Sequence, residues 1–129
     1  MRVSCLPLLA GVVLFAVAGC RSSGQTEIVG ADNGSQVALQ VGETLALSLE
    51  SNPTTGYGWE IAELDQSILS ETYNEYEADS PALPGSGGRE IWRFKALRSG
   101  STTLRLEYRR PWEEGVEPIE VFSVQVVVQ

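Results

Sequence analysis

The stretch Leu45-Ala46-Leu47-Ser48-Leu49-Glu50 decides how the rest of the sequence is interpreted. Leucine occupies every second position, and the residues between the leucines are small or polar. Because successive side chains of a β-strand point to opposite faces, this period of two predicts a strand with one buried face. The same alternation recurs in the segments around Trp59, Trp92, Leu104 and Phe122. The chain is therefore predicted to be all-β.

The strand segments and their connections predict a sandwich. Beyond residue 34 no stretch of useful length has apolar residues at helical spacing, and seven or eight short strands are predicted between residues 35 and 129. Such a series fits an immunoglobulin-like antiparallel β-sandwich, with a barrel as the alternative that the pattern leaves open. The sandwich is favoured because unusual loops alternate with plain turns, and alternating connections emerge at opposite ends. Trp59 and Trp92 are expected in its core.

The N-terminal residues have the features of a bacterial secretion signal. Arg2 is followed by the apolar run from Leu6 to Val17 and then by small residues. The sequence Val17-Ala18-Gly19-Cys20 resembles the lipobox of bacterial lipoproteins, in which the cysteine becomes the lipidated N-terminus. Residues 1–19 are therefore predicted to be a lipoprotein signal peptide, with ordinary cleaved secretion as the alternative.

This interpretation predicts where the protein resides. Cys20 is the expected lipidation site, and residues 20–34, rich in Ser, Gly, Asn and Gln, are expected to form a flexible tether to the domain at 35–129. Lipid chains would anchor the protein to a membrane without a spanning helix. The expected location is the periplasmic or cell-surface side of that membrane.

The composition excludes several classes of chemistry. The 129 residues include no histidine, which removes the commonest general base and every Ser-His-Asp or Cys-His site. Because neither zinc-type cysteine spacing nor an acidic calcium loop is present, no metal, cofactor or catalytic residue is predicted. The formal net charge of −8 disfavours nucleic acid, since phosphate binding depends on Lys and Arg. We expect a monomeric protein that is not an enzyme.

Three loops stand out from the plain turns. The first is Asn52-Pro53-Thr54-Thr55-Gly56-Tyr57, in which Pro53 and two β-branched threonines restrict the backbone and Gly56 permits a positive φ. The second contains Gly85-Ser86-Gly87-Gly88, whose backbone another chain can approach closely. The third contains Arg110-Pro111-Trp112, with residue types that are enriched at interface hot spots. Each loop alone is compatible with an ordinary turn, and together they predict a binding surface.

In this order, the three loops resemble those of the chagasin family, the inhibitors of papain-like cysteine peptidases found in some protozoa and bacteria. The resemblance covers most of residues 35–129. It implies an immunoglobulin-like sandwich whose three loops align at one end as a wedge that enters the peptidase cleft. In the first loop, it implies that Thr54 and Thr55 come close to the catalytic cysteine. Gly56 would give clearance, and Tyr57 would support the loop.

The resemblance also assigns roles to the other two loops. Trp112 would pack beside the catalytic histidine on the primed side of the cleft, flanked by Arg110 and Pro111. The segment from Gly85 to Gly88 would lie along the unprimed side. The expected partner is therefore a papain-like cysteine peptidase, and the expected mechanism is reversible, competitive inhibition that requires no chemistry from the inhibitor.

Two other functions remain open on the sequence. An envelope lipoprotein would recognise a glycan or another protein through Trp112 and Tyr57, although most aromatic residues here fall on predicted core faces. A purely structural envelope lipoprotein would leave the three matched loops unexplained. Of the three, the peptidase inhibitor is the function that the sequence favours.

Overall fold

The computed structural model describes residues 24–81 and 83–129, and these residues form eight strands. The predicted signal peptide and Cys20 lie outside the described residues. Within the described part, no helix has the length and apolarity that a membrane crossing needs. The all-β prediction is confirmed. The strands are β1 Gln25–Val29, β2 Gln36–Leu39, β3 Thr44–Ser51, β4 Gly58–Glu63, β5 Leu69–Ala78, β6 Gly88–Ala96, β7 Gly100–Arg109 and β8 Glu120–Val128.

The strands form two four-stranded sheets that pack face to face. One has the order β1-β3-β6-β5, and the other has the order β2-β8-β7-β4. The predicted sandwich is confirmed, but its sheets are mixed, because β1 pairs parallel with β3 and β2 pairs parallel with β8. This follows from the course of the N-terminal segment, which leaves one sheet after β1 and joins the edge of the other as β2.

The core lies between the two sheets and contains the alternating residues of the sequence pattern. The three leucines of β3 are buried against residues of the opposite sheet, and Trp59 and Trp92 are buried as predicted. Burial of large apolar side chains stabilises each by about 1.5–3 kcal/mol relative to exposure, so this interface is the main source of stability. Its fully buried side chains include Phe94, Phe122, Leu39, Leu45, Leu47, Leu69, Leu104, Leu106, Val124 and Val126.

The predicted tether differs from the structure. The prediction of a flexible segment over residues 20–34 is wrong from Gln25 onward. Gln25–Val29 is strand β1, which pairs with β3 along its whole length. Ile28 is buried in the core, and the Val29 backbone N–H donates to Asp32 Oδ2 at 2.8 Å in the turn that follows. Ile28 is the one buried residue of the five, so the segment shows no apolar alternation.

The connections separate into two groups at opposite ends of the sandwich. The loops 52–57, 79–87 and 110–119 lie at one end, here called the loop end, where Ser51 pairs with Gly88 and Gly58 with Arg109. The turns 40–43, 64–68 and 97–99 lie at the other end, here called the turn end. The sequence prediction that special loops and plain turns occupy opposite ends is confirmed.

Candidate functional site

The first loop is a closed turn organised by Asn52. The Asn52 Oδ1 accepts hydrogen bonds from the Thr54 backbone N–H at 3.2 Å and the Thr54 hydroxyl at 2.6 Å. The Asn52 carbonyl accepts two more, from the Thr55 N–H at 3.1 Å and the Thr55 hydroxyl at 2.7 Å. Pro53 starts this 3-10 turn, and Gly56 ends it with a φ of 83°. The loop is therefore ordered by its own polar groups.

Tyr108, the buried residue near the end of β7, supports the first loop from below. Its hydroxyl accepts a hydrogen bond from the Asn52 backbone N–H at 2.9 Å. Its ring contacts two other aromatic rings, with centroid distances of 5.4 Å to Tyr57 and 4.9 Å to Trp59. Aromatic pairs at such distances stabilise the packing beyond simple burial. Tyr57 thus packs against the residue whose hydroxyl binds the start of the first loop.

Glu90 of β6 fixes the two strands that flank the first loop. Its Oε2 accepts hydrogen bonds from the Ser51 hydroxyl at 2.9 Å and from the Trp59 backbone N–H at 3.0 Å. Ser51 ends β3 before the loop, and Trp59 lies in β4 after it. The Glu90 carboxylate therefore joins both ends of the first loop to strand β6. Sequence reasoning missed Glu90, because nothing in its neighbourhood distinguishes it from the other acidic residues.

The third loop lies directly against the first. The Trp112 ring covers Gly56, where an added Cβ would overlap it, with Cζ2 at 3.1 Å from that position. Arg110 Nε donates to the Thr55 carbonyl at 3.0 Å, and its guanidinium lies 4.4 Å from the centre of the Tyr57 ring. Pro111 is exposed beside Trp112. The first and third loops therefore form one unit, in which Arg110 is a bridge rather than a free surface charge.

The second loop contacts the first from the other side. Asn52 Nδ2 donates to the Gly85 carbonyl at 3.3 Å, and Gly85 has a φ of 78°. The Ser86 hydroxyl donates to the Leu83 carbonyl at 2.7 Å and accepts from the Leu83 N–H at 3.0 Å. This clamp presents the Leu83 side chain, which is 64% exposed, at the tip of the loop. Sequence reasoning missed Leu83, which stands between two prolines and outside any alternating pattern.

The two glycines that end the second loop have packing roles. A Cβ on Gly87 would lie 3.1 Å from the Ser51 carbonyl, so its absence lets the second loop pass close to the first. Gly88 is buried at the start of β6, and a Cβ there would collide with the backbone of β5 at Glu77. Gly88 thus sets the spacing of two strands, whereas the sequence prediction assigned it a contact with a partner.

The resulting surface is exposed, largely uncharged at its centre and bordered by acid. Trp112 is 66% exposed, and Pro53, Thr54 and Thr55 are exposed beside it. Glu113, Glu114 and Glu117 follow Trp112 in the third loop. No group of His, Cys, Asp or Glu in the described residues is placed to hold a metal ion. The arrangement can therefore bind a partner by shape and hydrogen bonding, and it offers no activated nucleophile.

A network of ion pairs on strands β7 and β4 adjoins the start of the third loop. The Glu107 carboxylate accepts hydrogen bonds from Arg109 Nη2 at 2.6 Å and from Arg105 Nη2 at 3.1 Å, and Arg109 also pairs with Glu60 at 3.1 Å. The bond from Arg109, followed by the bond from Arg105, holds the pKa of Glu107 below its usual value.

This network predicts how stability depends on pH. Because the folded-state pKa of Glu107 is depressed, its contribution is present above the unfolded-state pKa, about 4.3, and is lost as the pH falls through the lower folded value. Melting temperatures are expected to be flat from pH 8 to about 5 and to fall in stronger acid. Glu107→Gln should show a smaller acid-induced fall than the parent protein, and an equal fall would contradict this role.

Comparison with known proteins gives the family. Residues 38–126 match the family model described as "Chagasin family peptidase inhibitor I42". The chain is 32% identical to Amoebiasin-2 of Entamoeba histolytica over 92 residues, which are 70% of this chain and 75% of that protein. It is 30% identical to Chagasin of Trypanosoma cruzi over 102 residues, which are 76% of this chain and 93% of that protein.

A solved structure agrees with this match. The crystal structure of the cysteine protease inhibitor EhICP2 from Entamoeba histolytica superimposes with a TM-score of 0.77 at 25% identity, covering 84% of this chain and 99% of that one. The family match extends from β2 to β8 and includes all three loops of the loop end. The chain therefore belongs to the chagasin family of peptidase inhibitors, and it is an inhibitor rather than an enzyme.

Proposed function

We propose that this protein is a reversible, competitive inhibitor of papain-like cysteine peptidases, and that its loop end fills the active-site cleft. The observation that carries the proposal is the direct contact of the three loops at one end of the sandwich. Asn52 joins the first loop to the second at Gly85, and Arg110 joins the third to the first at Thr55. The exposed side chains of the three loops thus belong to a single surface.

The order of this surface before binding favours tight association. Binding costs free energy for every side chain and loop that must be immobilised, so a pre-ordered surface retains more of its contact energy. The Asn52 turn, the Ser86 clamp and the Arg110 bridge each remove such freedom. An interface of ordinary size, about 800 Å² on each partner, is then sufficient for tight inhibition.

The same turn restricts the backbone of the first loop and so disfavours its cleavage by the peptidase. Proteolysis needs a scissile carbonyl that is held in near-attack geometry in front of the nucleophile. In the first loop, the carbonyls of Asn52, Pro53 and Thr55 accept hydrogen bonds from Thr55, Gly56 and Arg110. Following the resemblance to the family, we assign Thr54 and Thr55 to the catalytic cysteine as a blocking contact. Trp112 is assigned to the primed side of the cleft, and the second loop is assigned to the unprimed side.

The proposal includes export and anchoring. The sequence Val17-Ala18-Gly19-Cys20 supports lipidation of Cys20 and a location on the periplasmic or cell-surface side of a bacterial membrane. The inhibitor would act there as a monomer on peptidases that reach the envelope.

An inhibition assay tests the proposed function. The full chain in detergent should abolish hydrolysis of a small dipeptide substrate by papain, raising the apparent KM without changing kcat. Dilution should restore activity, and mass spectrometry should find the inhibitor intact. A serine peptidase such as trypsin serves as the control and should be unaffected. Unchanged papain activity at micromolar inhibitor would refute the proposal.

Leu83 is expected to contribute to inhibition through the second loop. Its side chain is largely exposed in the free protein, so Leu83→Ala should leave stability unchanged. Loss of an apolar contact in the cleft should weaken inhibition by about 1 kcal/mol, roughly fivefold. Leu97→Ala, at an exposed leucine of the turn end, is the matched control and should inhibit like the parent. Equal inhibition constants for both variants would exclude Leu83 from the contact surface.

A further inference from the structure

The described chain begins at the turn end, far from the three loops. Gln25 pairs with Thr44, the first residue of β3, and the Thr44 N–H donates to the Gly24 carbonyl at 3.0 Å. Four peptide steps separate Cys20 from Gly24. Because an extended chain spans at most about 3.6 Å per residue, their Cα atoms lie within about 14 Å of each other. A lipid on Cys20 therefore brings the turn end to the membrane.

Two exposed apolar side chains occupy adjacent turns at this end. Val41 is 52% exposed and Leu97 is 46% exposed. Each is one residue away from the backbone hydrogen bond that joins their turns, from the Gly42 N–H to the Ala96 carbonyl at 2.8 Å. Single exposed apolar residues are common on soluble proteins. Here Val41 and Leu97 lie at the same end of the sandwich as Gly24, from which the chain leads back to Cys20, the proposed lipidation site.

The distribution of charge gives the same orientation. In the three turns of the turn end, the two carboxylates of Glu43 and Asp65 face one cation, Arg98. The second and third loops carry four carboxylates, at Asp79, Glu113, Glu114 and Glu117, against the single cation of Arg110. A membrane containing anionic lipids therefore repels the loop end more strongly than the less acidic turn end.

We infer that the turn end is a lipid-contacting surface, with Val41 and Leu97 seated in the headgroup region of a phospholipid bilayer. The inference rests on the proposed lipidation of Cys20. The eight residues of β3 span about 26 Å at about 3.3 Å per residue, so the three loops stand at roughly that height above the membrane. The anchored inhibitor thus faces peptidases dissolved in the adjoining compartment.

Fluorescent labels at the two ends test this orientation. The full chain is produced in a bacterium that processes lipoproteins, and mass spectrometry first establishes whether Cys20 carries lipid. An engineered cysteine is then the one free thiol of the processed protein. Gln66→Cys places a label at the turn end, and Thr54→Cys places one at the loop end. In vesicles of phosphatidylethanolamine and phosphatidylglycerol, nitroxide lipids should quench the label at position 66 several-fold more strongly than the label at position 54.

A second variant tests the apolar pair itself. Val41→Asp combined with Leu97→Asp, in the Gln66→Cys background, should reduce the lipid quenching several-fold while inhibition of papain in detergent stays unchanged. Equal quenching of the two labels, or unchanged quenching in the aspartate variant, would overturn the inference. Neither result would bear on the proposed inhibitor function. An unmodified Cys20 would overturn both the anchoring and the orientation. Failure of the papain assay would instead remove the proposed function and leave the orientation standing.

Discussion

Trp112→Ala is expected to weaken inhibition of papain by about 2 kcal/mol or more, roughly 30-fold, without unfolding the protein. Trp112 is 66% exposed in the free protein, so its ring contributes little to the core. The ring nevertheless packs against Gly56, beside the hydrogen bond from Arg110 to Thr55. A large aromatic group that is exposed, ordered and surrounded by polar contacts is the kind of residue that dominates binding energy.

The experiment needs an inhibition constant and a melting temperature for each variant. Ile119→Ala is the matched control, because Ile119 is also an exposed apolar residue of the third loop but lies at its far end, next to β8. The control should inhibit like the parent protein. If Trp112→Ala inhibits as well as Ile119→Ala does, Trp112 is not an anchor of the interface.

Gly56→Ala is expected to abolish tight inhibition through a different cause. Gly56 has a φ of 83°, which costs an alanine about 1–2 kcal/mol of folding stability. The new Cβ would also overlap the Trp112 ring, so the ring must move away from its position against residue 56. Because both the first and the third loops change, the loss of inhibition should equal or exceed that of Trp112→Ala.

A glycine elsewhere separates backbone strain from this overlap. Gly34 has a φ of 86°, and an added Cβ there would meet no atom within 4 Å. Gly34→Ala should lose similar stability and keep full inhibition. In the Trp112→Ala background, Gly56→Ala should cause a smaller loss than it does in the parent protein, since the effects of contacting residues are not additive. Full additivity of the two substitutions would contradict the proposed contact between the loops.

The sandwich could be predicted because its strands alternate strongly. Leu45, Leu47 and Leu49 lie in the core as the period of two requires. Strand β1 could not be predicted in this way, because its stability depends on backbone pairing with β3 and on the single buried side chain of Ile28. Backbone hydrogen bonds carry no side-chain signature, so a short edge strand of polar residues looks like a linker.

Most exposed residues of the candidate site could be predicted from the sequence, but the buried and half-buried residues that hold its loops in place could not. Pro53, Gly56 and Trp112 have unusual backbone or side-chain properties that are visible in the sequence. Glu90 and Tyr108 do not, because their roles depend on partners 31 to 56 positions away in the chain. Such contacts exist only after the sheets have formed, and no local pattern encodes them.

Asn52 joins two loops and Tyr108 through its backbone and side chain, so its chemical durability matters to the whole surface. Deamidation of asparagine ordinarily begins when the backbone nitrogen of the next residue attacks the side-chain amide and closes a succinimide ring. The next residue here is Pro53, whose nitrogen carries no hydrogen and cannot take that path. The residue on which the first loop depends most is thereby protected from the commonest form of protein ageing.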